Sequence, residues 1–286
     1  MFKLQKHLAR RRIRGAGVDT LYLPMPESAF TPCRHADLSP RGVPWHTVVS
    51  PAAPPSRTVG GAAAYRWRVG HHAAYCVWRL MAETLRVLLA GSTRASVLVS
   101  RATLLFDAYS VLMLYAGSCS AEVYGETIRP SMMAADSAFS GTWARDYEPI
   151  HPLLREIRLT YHPNTLVPLS TALKLNNIVH GAVAKYLVPI GQSLLREHSD
   201  DHLAPPTEAQ RQVSDRFFGV ERITICREEF LAQFVTKLGQ VRSDLVHRPL
   251  PVSCEWPGLS AQQTGVVALF HRESAVVLSR LEESLE

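Results

Sequence analysis

The amino-acid sequence predicts an all-α fold, built as a single domain of seven or eight helices. Over several long stretches the apolar residues recur at three- and four-residue steps, which is the period of an amphipathic helix. No stretch of convincing length alternates apolar and polar residues as a half-buried strand does, and no internal repeat divides the chain. With 286 residues, 47% of them hydrophobic and 20% charged, the chain can bury a core without disulfides.

The cysteine spacing and the hydropathy limit the classes of protein to which this chain can belong. The five cysteines are widely spaced and form no Cys-x-x-Cys pair, which argues against a zinc ribbon and against a disulfide framework. No run of about 18 apolar residues predicts a membrane span, and no apolar segment after the basic start predicts a secretory signal. The sequence therefore predicts a cytoplasmic protein with no membrane partner.

The first 61 residues are predicted to form a basic, proline-rich arm (1–61) ahead of a helical domain (62–286). Residues 1–100 carry 14 Lys plus Arg against four acids. Such a basic start could bind nucleic acid or an acidic surface, but no helix-turn-helix, zinc-finger or RNA-binding sheet signature follows it. The alternative is a solvated terminus, and we expect no nucleic acid partner. The prolines predict an extended segment over the surface or over a neighbouring subunit.

Helical patterning begins at Ala62 and recurs to the end of the chain. The helix that follows Arg94 has more than one apolar stripe and is expected to be central. Residues 138–143 combine small and aromatic side chains and suggest a loop that lines a site. The predicted helices run from about Ala62 to Leu89, Arg94 to Ala116, Ala121 to Ile128, Pro152 to Leu159, Asn164 to Pro189, Glu208 to Phe217, Arg227 to Val246 and Ser260 to Leu285.

The helix that begins near Asn164 carries the first candidate ligand, His180. Because His180 shares one helix face with several apolar residues, we expect its side chain to be buried. Its small neighbours Gly181 and Ala184 leave room for a flat group. A buried neutral imidazole on a rigid helix can ligate a haem iron, and the alternative is a core histidine paired with a backbone carbonyl.

A second histidine, His72, lies on the first predicted helix. Cys76, Arg79 and Glu83 follow it at steps of four, seven and eleven residues, which gives this face of the helix a polar character. The polar face either lines a site or contacts water, and periodicity does not decide between the two. His72 and Cys76 alone are a weak signal for a metal site. Since adjacent helical residues diverge by about 100°, His71 is the alternative inward residue.

Residues 72–78, His-Ala-Ala-Tyr-Cys-Val-Trp, resemble the segment His-x-Ala-Tyr-x-x-Trp of the tryptophan 2,3-dioxygenases, which are all-helical haem enzymes. In that family the first histidine contacts the amino acid on the distal side of the haem, and a histidine on a later helix ligates the iron. His72 and His180 would occupy these places in the same chain order. The dioxygenases carry an acid where this chain has Cys76, and their glycine-rich loop after the proximal helix has no counterpart here.

The chain more closely resembles, in size and in the spacing of its two histidines, the haem-dependent L-tyrosine 3-hydroxylases. This resemblance implies a tryptophan 2,3-dioxygenase-like bundle enclosing haem b. It also implies hydrogen peroxide as oxidant, formation of L-DOPA in natural-product biosynthesis and, by analogy, a homodimer. His180 would bind the iron, and His72 would transfer a proton or hydrogen-bond the phenol.

An aromatic amino acid substrate also needs a partner for its carboxylate, and a planar guanidinium matches that group. Arg129, between the two histidine helices in sequence, is the first candidate, and its alternative is an ordinary surface arginine. Ser193, after Pro189, is the second candidate for contacting the amino or carboxylate group. Two other functions stay open, an indole-opening dioxygenase that uses molecular oxygen and a non-enzymatic helical protein that binds a partner through its basic arm.

Overall fold

A computed structural model of the chain describes residues 20–32, 58–189, 191–199, 201, 204–250, 256 and 258–285. These residues are mainly helical, which confirms the predicted all-α class. The helices are α1 (Val59–Leu89), α2 (Ala95–Ala116), α3 (Ala121–Val123), α4 (Arg129–Ala135), α5 (Ile150–Thr160), α6 (Val167–Leu187), α7 (Leu194–His198), α8 (Glu208–Phe218), α9 (Arg227–His247) and α10 (Ala261–Glu283).

Helix α2 lies at the centre of the bundle and packs against α1, α6 and α10. A short turn joins α1 to α2, so the two helices run antiparallel. Inside the bundle, the Ser110 hydroxyl of α2 accepts a hydrogen bond from the Asn176 amide of α6 at 3.0 Å. Helix α2 is long and apolar enough to cross a membrane by composition alone, and half of that apolar window is buried against the rest of the protein.

Helix α1 buries the face that carries the polar stripe predicted from the sequence. Thr58 caps its first turn, with the hydroxyl accepting from the backbone N–H of Gly61. The face with His72, Cys76 and Arg79 is buried. The polar stripe of the sequence therefore points into the protein and not into water.

Part of the predicted arm is built into the core. Residues Leu21–Leu23 form a strand, β1, that pairs in parallel with β2, Val220–Arg222. The side chains of Leu21 and Leu23 are 0% exposed, and the amide of Gln233 hydrogen-bonds both the N–H and the C=O of Tyr22. Strands were not expected, because three residues are too few for an alternating pattern to be visible. Residues 1–19 and 33–57 of the arm lie outside the described residues, so the predicted boundary at residue 61 stays a prediction.

Two local features differ from the predicted helices. Residues Tyr124–Ile128, expected as ordinary helix, form a π-helix that continues directly into α4. Asn164 does not cap the helix of His180: the His162 ring accepts from the N–H of Asn164 to begin a 3₁₀ turn, and α6 follows from Val167. Pro168 fits there because the first turn of a helix needs no N–H from it.

Candidate functional site

The imidazole of His72 lies fully buried, and its two ring nitrogens have different environments. Its side chain is 0% exposed, and Nε2 lies 2.5 Å from the backbone carbonyl oxygen of Phe218. Because a carbonyl oxygen only accepts, Nε2 carries the proton and Nδ1 carries the lone pair. Nδ1 is buried without a hydrogen-bond partner. Burial, with a smaller effect of the Lys237 charge, lowers the pKa of His72 well below 6.5, so the ring is neutral.

Two further groups of α1 and α9 belong to the surroundings of His72. The Cys76 thiol, one turn further along α1, is 0% exposed, and its burial raises its pKa. Lys237 on α9 is 1% exposed. No cluster of three or more histidine, cysteine or acidic residues suited to a metal occurs in the described ranges, so His72 and Cys76 do not belong to a complete protein-only metal site.

His71, the alternative inward residue, is only partly buried and faces an aromatic surface. Its Nδ1 lies 2.6 Å from the carbonyl oxygen of Trp67, to which it donates. The ring stacks on Phe218 with the centroids 4.4 Å apart and contacts the Trp67 ring at 4.5 Å. Burial lowers the pKa of His71 to about 4. The Nε2 lone pair therefore stays free of a proton at neutral pH.

Aromatic rings continue from His71 in both directions and form what we call the aromatic wall. The ring of Tyr124, in the π-helix, packs against that of Trp67 with the centroids 5.7 Å apart. The ring of Phe139, from the loop that was predicted to line a site, lies with its centroid 6.1 Å from that of Phe218. Most of these rings are buried in the core, and the partly exposed ones can contact another aromatic ring. The wall consists of Trp67, His71, Tyr75, Trp78, Tyr109, Tyr124, Phe139, Trp143, Tyr147, Phe217 and Phe218.

His180 does not have the buried position that its helix face predicted. Its side chain is exposed, although the surrounding protein still lowers its pKa through desolvation. Helix α5 covers this flank of α6 at Leu169 and Leu173, and His180 lies two turns beyond Leu173. The buried line of α6 runs through Asn176 and Val179, and His180, one residue past Val179, diverges from it by about 100°. The predicted burial of His180 is therefore wrong.

Arg129 and Ser193, which were predicted separately, lie close together in the fold. The Arg129 guanidinium donates to the carbonyl oxygen of Gln192 at 3.2 and 3.3 Å and to Glu197 Oε2 at 2.6 Å. Ser193 follows Gln192, is exposed, and its hydroxyl does not cap α7. Glu197 was not singled out from the sequence, and no spacing pattern marks it. The Gln192 N–H, which donates to Glu197 at 3.1 Å, and Arg129 together lower the pKa of Glu197.

The structure also contains a buried ion cluster that the sequence did not indicate. Arg222 lies 2.7 Å from the Asp146 carboxylate and 2.6 Å from that of Asp215, which also binds Arg145 at 3.0 Å. Asp146 is 1% exposed; burial raises its pKa and Arg222 opposes the shift. The only signal in the sequence was the charged pair Arg145-Asp146 within an aromatic segment.

A cavity of about 310 Å³ lies beside this ion cluster, away from the histidines. The guanidinium of Arg211, in its lining, is already paired with Glu148 at 2.7 and 2.9 Å, and that of Arg145 is paired with Glu208. Both guanidinium groups in the cavity lining are therefore hydrogen-bonded to carboxylates. The cavity is lined by Met25, Pro26, Glu27, Arg145, Glu148, Pro149 and Arg211.

The fold and the site together define a mainly helical protein with a buried neutral imidazole that keeps one nitrogen without a proton, next to a group of packed aromatic rings. A family model described as SfmD 3-methyl-L-tyrosine peroxygenase matches residues 14–173, which is more than half of the chain. The chain belongs to this family of peroxygenases. No curated protein matches it. The matched residues include His71, His72 and Arg129 and end before His180 and Ser193.

Proposed function

We propose that the protein is a haem-dependent peroxygenase that hydroxylates a tyrosine-like amino acid ortho to the phenol. One oxygen atom of hydrogen peroxide enters the ring C–H bond, and the other leaves as water. The family match supports the use of peroxide and an aromatic amino acid substrate. The main structural support for this site is the buried Nδ1 of His72, which has a lone pair and no hydrogen-bond partner.

The chemistry of His72 fits the role of an iron ligand. A histidine that binds haem iron is neutral, and its second nitrogen commonly donates to a carbonyl or carboxylate that fixes the ring. His72 has this arrangement, with Phe218 as the carbonyl partner. His180 fits less well, because it is exposed and lies outside the matched residues. We therefore propose His72 as the ligand, in place of the predicted role for His180.

His71, the next residue of α1, would lie on the same side of a bound haem as His72 and therefore does not take over the proton-transfer role that the resemblance gave to His72. When bound, haem supplies the iron that activates peroxide. The Nε2 lone pair of His71 lies on the partly open side of α1, where it can accept a hydrogen bond from a ligand. Its ring is held by Trp67 and Phe218, so this nitrogen has a fixed direction. The aromatic wall would hold the substrate ring and exclude water from it.

Two tyrosine-like substrates differ by one methyl group. The resemblance to tyrosine hydroxylases favours L-tyrosine, with L-DOPA as product. The description of the matching family favours 3-methyl-L-tyrosine. A hydrophobic surface discriminates one methyl group by only about 1–3 kcal/mol. We therefore expect both compounds to react, with a preference that a competition experiment measures.

The test incubates the purified holoprotein with tyrosine, 3-methyl-tyrosine or tryptophan, each with hydrogen peroxide or with oxygen. We expect a product one oxygen atom heavier from the two phenols, and only with peroxide. Turnover of tryptophan with oxygen alone would instead support the dioxygenase alternative. A protein that binds no haem and converts none of these substrates would overturn the proposal.

A further inference from the structure

We propose that Glu197 binds the α-ammonium group of the substrate amino acid, while Arg129, its present ion-pair partner, binds the carboxylate. This inference rests on the proposed function for the presence of an amino acid at the aromatic wall. Nothing in the sequence pointed to Glu197. The Arg129–Glu197 pair would then be a clamp that opens to bind a zwitterion, with Arg129 on its carboxylate and Glu197 on its ammonium group.

The backbone between α6 and α7 prepares both side chains for this task. Gly191 has φ of 100°, a left-handed conformation that glycine adopts without strain. The turn lets Gln192 use both of its backbone groups: its C=O accepts from Arg129, and its N–H donates to Glu197. The guanidinium and the carboxylate are therefore fixed by the backbone as well as by each other, and both stay in place when a ligand separates them.

Exposure and hydrogen-bond capacity leave room for a ligand. The side chains of Arg129 and Glu197 are 20% and 32% exposed, so the pair can be reached from solvent, whereas the buried pairs of the ion cluster cannot. A guanidinium has five N–H donors in a fork that matches a carboxylate. The Ser193 hydroxyl, which does not cap its helix, lies next to Gln192 and can add a donor or an acceptor.

The clamp lies at one end of the aromatic wall, which sets the direction of the substrate. In a π-helix five residues make about one turn, so Tyr124 and Arg129 lie on the same side. The Arg129 charge lowers the otherwise raised pKa of Tyr124, as expected for close groups. The Trp67 ring centroid lies 5.7 Å from that of Tyr124 and 4.5 Å from that of His71, so Trp67 connects the two. Trp67 and His71 are partly exposed, so an amino acid held at the clamp would extend its ring towards them.

A binding experiment without peroxide tests the clamp with three ligands. L-Tyrosine carries both charged groups, tyramine lacks the carboxylate, and 3-(4-hydroxyphenyl)propionate lacks the amine. Charge-assisted hydrogen bonds change affinity by roughly 10- to 100-fold. In holoprotein with Glu197→Gln, we expect tyrosine and tyramine to bind about 10-fold or more weakly. The propionate should bind more tightly than to the unchanged protein, because Glu197 no longer competes for Arg129.

The complementary variant and a control complete the test. Arg129→Lys, which loses the forked donors, should weaken tyrosine and the propionate and leave tyramine within about twofold. Glu83→Gln removes a carboxylate from the comparable exposed pair with Arg227 and should change none of the three affinities. Equal weakening of all three ligands by Glu197→Gln, or no change in any, overturns the clamp. Tyrosine that binds as expected but is never oxidised contradicts the proposed function and leaves the clamp intact.

Discussion

At the scale of single residues, the two adjacent histidines of α1 show how one step along a helix separates two chemical roles. Each ring donates one N–H to a backbone carbonyl, His72 to Phe218 and His71 to Trp67. Each therefore keeps one nitrogen with a lone pair. His72 is fully enclosed and His71 is partly open, which suits the first to ligation and the second to a hydrogen bond with a ligand.

Replacing these histidines one at a time separates the two roles. His72→Ala should abolish the Soret band of the holoprotein together with product formation, because the ligating nitrogen is lost. His71→Gln should keep the Soret band, because His71 does not ligate the iron. Absorbance and product assays measure both. Loss of the Soret band in His180→Ala, with the band retained in His72→Ala, would return ligation to His180.

The free energy of unfolding should decrease as the pH is lowered, because buried histidines resist protonation. In the unfolded chain a histidine takes up a proton near pH 6.5, whereas the folded pKa of His71 is about 4. Its contribution is complete above pH 6.5 and is lost as the pH falls towards 4. At about 1.4 kcal/mol per pKa unit, His71 alone would cost roughly 2–3 kcal/mol of unfolding free energy over this interval.

Denaturant unfolding at pH 7, 5.5 and 4.5 measures this loss. His71→Gln removes the titrating ring and should flatten the decline relative to the unchanged protein. The exposed His247 provides the control, since His247→Gln should leave the pH dependence as it was. A decline of the same slope in all three proteins would mean that carboxylates alone govern it.

At the scale of elements, the packing of α2 against α6 depends on a glycine. A Cβ at Gly117 would lie 2.6 Å from Cγ1 of Val183, so α6 would have to move. Gly117→Ala should therefore destabilise the protein by about 1–3 kcal/mol. Gly239 in α9 is the matched control, because a Cβ there meets nothing within 4 Å. Gly239→Ala should stabilise by about 0.5–1 kcal/mol, and thermal unfolding distinguishes the two signs.

The sequence predicts the long helices well and their covering elements poorly. Periodicity placed α1, α2, α9 and α10 to within a few residues because each buries a continuous stripe. It did not place β1, whose partner strand is about 200 residues away along the chain. It also failed at His180, because the buried line of α6 passes through Val179, and the adjacent His180 diverges from it by about 100°. Glu197 was invisible because its partner, Arg129, is distant in sequence.

At the scale of the whole molecule, the buried ion cluster joins the loop before α5 to the segment of α8 and β2. Arg222→Met would leave Asp146 buried without its cation and should cost about 3–5 kcal/mol. Arg222→Met together with Asp146→Asn should recover part of this loss. The control is Arg242→Met, in an exposed pair with Glu282, which should cost less than about 1 kcal/mol. Equal losses for Arg222→Met and Arg242→Met, measured by urea unfolding, would contradict a structural role for the cluster.

The parallel pairing of β1 with β2 has a consequence for how the protein is made. During synthesis, Leu21 and Leu23 leave the ribosome long before Val220 exists, so this early segment has no partner until most of the chain has been translated. A fragment that stops at residue 173, where the family match ends, would expose both leucines together with the face of α1 that α8 and α9 cover. The peroxygenase fold is thus completed by residues 174–286, which the family match does not include.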